Sequence, residues 1–111
     1  MRTYTLDQLT EKDTAAIGNL LREMELQGGV EGVFWLPVPE VYFTSLQKEH
    51  RPVCGPYCLA LVVEETAIQL ELLVRGIGRI SCQCLGFASE ELRNHMIGFL
   101  ERTLDDLGVR Y

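Results

Sequence analysis

The stretch "YCLALVVEETAIQLELLVRGIGRISCQCLG", residues 57–86, holds three strand-length runs: 57–64, 67–75 and 79–86. Only Glu65-Thr66 and Gly76-Ile77-Gly78 separate them. Links that short join antiparallel neighbours, because a parallel pair needs a crossover of a dozen residues or more. The stretch therefore predicts a three-stranded antiparallel meander. Side chains alternate along a strand, so the first run puts Cys58, Ala60 and Val62 on one face and Leu59, Leu61 and Val63 on the other, both apolar. The second run sets Ile68, Leu70, Leu72 and Val74 against Gln69, Glu71, Leu73 and Arg75. The third sets Ile80, Cys82 and Cys84 against Arg79, Ser81, Gln83 and Leu85.

Upstream, Thr10 is a helix cap, and Ile17, Leu20, Leu21 and Met24 form one helical stripe, which predicts a helix over 11–26 stopped by Gly28-Gly29. "VFWL", 33–36, is a short strand ended by Pro37 and Pro39. "EVYFTSLQKEH", 40–50, is a short helix that Pro52 forces to finish by about His50. Downstream, Ser89 caps a long helix with Glu90 and Glu91 in its first turn, which ends at Gly108. Leu92, Met96, Phe99, Leu100, Thr103, Leu104 and Leu107 give that helix a broad apolar stripe. The predicted architecture is a single α+β domain over 1–111. It is a two-layer sandwich with a four-stranded, mainly antiparallel sheet (the meander 57–86 plus the strand near 33–36) and both terminal helices on one face.

Two helices cover one face only. The other, with Leu73 and Leu85 on it, needs a shield, either residues 37–50 or a second copy of the chain.

With 111 residues and 47% hydrophobic content, the chain can bury a core without disulfide or metal staples. Its 10 basic residues are scattered singly among 16 acidic ones, net −6, so a nucleic-acid footprint is absent. The start lacks an apolar leader, and the longest aliphatic run, Cys58 to Val63, is too short to span a bilayer. Expectation therefore places the protein in the cytoplasm, off membranes, with its four cysteines as thiols unless they hold metal or turn over.

The segment "EHRPVCGPYC", 49–58, poses the chemical question. Cys54-Gly-Pro-Tyr-Cys58 resembles the redox motif with two cysteines around Gly-Pro, but three residues intervene in place of two, and Cys58 leads into a strand and not a helix. A zinc or iron–sulfur site would draw on His50, Cys54, Cys58, Cys82 and Cys84, whose nitrogen and sulfur are the donors such metals prefer. Two features oppose it: structural sites bring paired ligands two to four residues apart from both halves, a poor match to this spacing, and Cys82 and Cys84 start about 6–7 Å apart on an extended strand. A nucleophile–base pairing of His50 with Cys54 would have to be made by a loop, because Pro52 breaks a helix between them. The plainer expectation is that Cys58, Cys82 and Cys84 are small buried hydrophobes, Cys54 is the exposed thiol, and no cofactor is held.

Five of the nine aromatic residues, Phe34, Trp35, Tyr42, Phe43 and Tyr57, fall between 34 and 57. They form either a second small core or a binding surface. Neither paired carboxylates nor a Ser/His/Asp set stands at interpretable spacing. The expected function is a non-enzymatic accessory or protein-interaction module acting as a homodimer, with Trp35, Tyr42, Phe43, Leu73 and Leu85 as its contact residues. The alternative is a metal or thiol-redox protein built on His50 and the cysteines.

Overall fold

The computed structural model describes residues 2–111. Along the chain run β1 (Thr3–Leu6), α1 (Glu11–Glu23), β2 (Val33–Pro37), a 3-10 turn (Glu40–Tyr42), α2 (Ser45–Cys54), β3 (Tyr57–Val63), β4 (Ile68–Glu71), β5 (Arg75–Gly76) and α3 (Glu90–Asp106). This is an α+β fold with an antiparallel sheet ordered β1-β4-β3-β2, and β5 also pairs with β3. No helix among the described residues is long and apolar enough to cross a membrane.

Local signals set the two long helices. Thr10 accepts the Asp13 N–H at 3.0 Å, and Ser89 accepts the Leu92 N–H at 3.2 Å, each satisfying an amide that the first helical turn leaves open. Gly108 follows α3 with φ +73°, a left-handed stop that glycine takes without strain. The register Phe34↔Leu61, Leu36↔Leu59, Leu61↔Leu70 and Tyr4↔Leu70 puts one parity of every strand on the helical side. Ile17 and Leu21 of α1 and Leu92, Met96, Leu100 and Leu104 of α3 close the core over that face, all of them buried.

Two departures from expectation shape the rest. First, β1 supplies an edge strand that the sequence reading lacks, with Thr3 and Thr5 exposed and Tyr4 and Leu6 turned toward the core. Second, residues 79–86 are not a strand. Leu61 pairs Leu70 whereas Cys58 pairs Arg75, so three steps along β3 are matched by five on its neighbour. The surplus bulges out at 72–74. There the backbone turns to 86–88 instead: the Val74 N–H donates to the Gly86 carbonyl and the Ala88 N–H to the Leu72 carbonyl, both at 2.8 Å. What lies between, 77–86, is a loop, and Ile80, assigned above to an apolar face, is 95% exposed.

Apart from Pro37, residues 37–50 lie on the helical side and do not cover the opposite sheet face. Tyr42 stacks on His95 of α3 with ring centroids 5.0 Å apart, and Phe43 meets the Tyr57 ring edge-on at 5.0 Å. The open face carries Thr3, Thr5, Val33, Trp35, Ala60, Val62, Gln69 and Glu71. Leu85 is not on it and packs, half-buried, against the core, while the Leu73 backbone bridges to Phe87.

Candidate metal centre

Thr44-Ser-Leu-Gln47 begins α2 with a reciprocal cap. The Thr44 hydroxyl accepts the Gln47 N–H at 3.1 Å, and Gln47 Oε1 accepts the Thr44 N–H at 2.9 Å. From this fixed start, His50 and Cys54 follow one helical turn apart and share a face. Pro52 lies inside the helix and does not end it, which corrects the expectation that His50 and Cys54 cannot be paired by a helix. Proline removes one bond, to the carbonyl of Lys48; both residues are exposed, so water can take that acceptor.

The second half of the site is the loop after β5. Its glycines are required by close approach: a Cβ at Gly76 would collide with the Cys54 carbonyl oxygen, and one at Gly78 with the Val53 and Gly55 carbonyls. The Gly78 N–H donates to the Cys54 carbonyl at 3.1 Å, and the Ile77 N–H to the Pro56 carbonyl at 2.9 Å, so the loop caps the end of α2. Beyond it the chain turns at 83–84, with the Leu85 N–H donating to the Cys82 carbonyl at 3.1 Å. That turn folds Cys82 and Cys84 toward one point, which an extended strand cannot do.

Four side chains thereby converge. One ligand atom each from His50, Cys54, Cys82 and Cys84 lie within 4.8 Å of one another. A tetrahedral zinc with Zn–S bonds of about 2.3 Å separates its ligands by about 3.8 Å, so the set has the dimensions of a single-ion cage. A multi-iron cluster attaches each ligand to a different metal atom and needs a wider cage. His50 Nδ1 lies 3.1 Å from Cys82 Sγ. Buried neighbours support the ligands: Gln47 Nε2 donates to the Cys84 carbonyl at 3.0 Å, and the Tyr57 hydroxyl donates to the Gln47 carbonyl at 2.8 Å and lies 3.5 Å from Cys84 Sγ.

The thiols are not equivalent. The backbone N–H of Cys84, and then His50, stabilise the Cys82 thiolate and hold its pKa down to about 6. Burial, and then the neighbouring sulfurs of Cys82 and Cys84, push Cys54 up to about 11. Burial also raises Tyr57 and Cys58. Cys82 is half-buried and, together with Cys54, Glu49, His50, Val53 and Arg79, borders an open cleft of about 350 Å³, while Cys54 and Cys84 are themselves buried. The expectation of Cys54 as the exposed thiol is therefore reversed.

Cys58 takes no part. It neighbours Tyr57 on β3, hence points to the opposite sheet face, where it lines a groove with Trp35, Pro37, Pro56 and Ile77. Of the expected contact residues, Trp35 alone borders that groove, and Tyr42, Phe43 and Leu85 pack toward the core. Sequence reasoning missed Gln47 and Tyr57. The Thr-x-x-Gln capping pattern was a usable signal for the first, and no local signal marks the second. The chain matches no family model, no curated protein and no solved structure.

Proposed function

We propose that this chain is a zinc-binding α+β domain in which His50, Cys54, Cys82 and Cys84 hold one ion in a structural role. The convergence of four metal-ligating atoms from two separate segments within 4.8 Å carries the reading. Four protein ligands leave no position for a substrate or a reactive water, which is the pattern of structural zinc. The segment to be held is one that needs holding. Residues 77–86 have neither helix nor strand of their own, and the ion would clamp them to α2. Structural zinc contributes about 10–16 kcal/mol in small peptides, comparable to the whole stability of an ordinary domain.

Elemental analysis of protein purified without chelator tests the proposal. One zinc per chain is expected; Cys54→Ser and Cys84→Ser lose it, Cys58→Ser retains it, and cobalt substitution gives the intense visible bands of a tetrahedral thiolate site. Metal-free protein with all thiols reduced, and no uptake of added zinc, refutes it.

A protein-interaction role, with self-association, stands beside this reading on a different observation. The groove on the open sheet face, about 470 Å³, is walled by Trp35, Pro37 and Pro56, and a half-buried tryptophan is a common anchor of interfaces. Ile77 of the metal-bearing loop also borders it. Sedimentation analysis is expected to give a dimer that Trp35→Ala dissociates; a strict monomer rules out self-association.

A further inference from the structure

Cys82 combines three properties that neither of the other cluster thiols has together. It is half-buried where Cys54 and Cys84 are 2% and 5% exposed, it borders the open cleft, as Cys54 also does, and an imidazole nitrogen sits 3.1 Å from its sulfur. Arg79 and Glu49 line the same cleft. Two further sulfurs wait within 4.8 Å. A thiol at an open cleft, with an imidazole beside it and a second thiol in reach, is the arrangement of a redox-sensing cysteine.

We infer that Cys82 is a peroxide-reactive modification site which closes a disulfide with Cys54, so that the oxidation state of this pair decides whether the centre holds its metal. The inference rests on the zinc reading for its consequence, though not for its chemistry. The Cys82 thiolate attacks one peroxide oxygen; the S–O bond forms, the O–O bond breaks, and hydroxide leaves and takes a proton to become water. The Cys54 sulfur then attacks the sulfenic sulfur and gives up its proton; the S–S bond forms, the S–O bond breaks, and the sulfenic hydroxyl leaves with that proton as a second water. One thiolate, one thiol, one peroxide and one proton thus give one disulfide and two waters. Sulfur is oxidised by two electrons and peroxide reduced by two.

Cys54 is the partner because a single residue separates Cys84 from Cys82, and a disulfide that short must distort the backbone. Closing to about 2.05 Å requires the loop to move. That loop has the freedom, since 79–81 make no backbone hydrogen bond through their N–H groups among the described residues. With two of its four donors consumed, the ion leaves. Cys58, buried on the other sheet face, is the internal control.

Zinc-loaded full-length protein is titrated with hydrogen peroxide while a chromogenic chelator follows released zinc, thiols are counted after denaturation, and peptides are mapped by mass. One zinc released and two thiols lost per peroxide consumed are expected, with a Cys54–Cys82 cross-linked peptide, Cys58 untouched, and zinc binding restored by dithiothreitol. Zinc retained at doses that oxidise a free-thiol control, or oxidation landing on Cys58 first, overturns the inference and leaves the zinc reading standing. If the chain holds no zinc, the zinc reading fails separately. The metal-free protein must then still form the Cys54–Cys82 cross-link, and its absence overturns the inference on its own.

Discussion

Gln47→Glu separates the two bonds that one side chain makes. The carboxylate keeps an oxygen to accept the Thr44 N–H, now at 2.9 Å, but replaces the amide donor that meets the Cys84 carbonyl at 3.0 Å with another oxygen. Gln47 is 5% exposed, so neither group can turn to water. The lost bond contributes about 1 kcal/mol net, and leaving a buried acceptor unpaired adds about 1–3 kcal/mol, so a deficit of about 2–4 kcal/mol is expected for reduced, metal-free protein near neutral pH. Acid should return part of it, because a protonated carboxyl can again donate to Cys84. Burial against a carbonyl raises the new carboxyl's folded pKa above its unfolded one. The stabilisation from its proton is thus complete below the unfolded pKa and is lost as pH rises through the folded one. Urea unfolding in chelator and reductant at about pH 5 and about pH 7 reads both effects, and zinc affinity should fall about 10–100-fold as Cys84 loses its orientation. A deficit under about 1 kcal/mol at neutral pH, or one that grows on acidification, refutes the role given to Gln47.

Zinc must expel the proton of Cys54, which stays bound up to about pH 11, whereas Cys82, at about 6, is already a thiolate near neutrality. Affinity should therefore rise at least about tenfold per pH unit above neutral, and calorimetry in buffers of different ionisation heat should count one or more protons released; a pH-independent affinity contradicts this. Gly78→Ala forces a Cβ onto the Val53 and Gly55 carbonyls, neither of which is a side chain able to swing away. It should destabilise by about 1–3 kcal/mol and weaken zinc binding, with lost exchange protection at residue 78 as the direct readout. Gly98→Ala goes the other way: the new methyl meets only the guanidinium end of Arg102, at 3.2 Å, so the helix gains about 1 kcal/mol and the melting temperature rises by about 4–8 °C.

Where a signal was local, the sequence was sufficient. Thr10, Ser89 and Gly108 mark helix ends with hydrogen bonds or backbone angles that involve only a few neighbouring residues. The pairing of β3 with β4 followed from a two-residue turn and opposed apolar faces. The run 79–86 alternates like a strand, yet its fate was decided elsewhere. Leu72 and Val74 bond to Ala88 and Gly86, and after β5 the chain between them runs as a loop. β1 was illegible for a related reason: its four residues become a strand only beside Ile68–Glu71, far along the chain.

The donors of the centre were visible as residues and misjudged as geometry. The usual cost of proline belongs to a helix interior, whereas Pro52 stands near the helix end, on the exposed side, over a terminus that the Gly78 N–H holds from outside. The spacing of Cys82 and Cys84 was measured on an extended strand that does not form. The exclusion of Cys58 needed no coordinates beyond one fact, since adjacent strand residues face opposite ways and Tyr57 and Cys58 cannot both reach the same layer. The missing fact was the side on which α2 docks. That is set by Phe43 against the Tyr57 ring and by the Tyr57 hydroxyl on the Gln47 carbonyl, contacts between segments whose alternation patterns carry no information about one another.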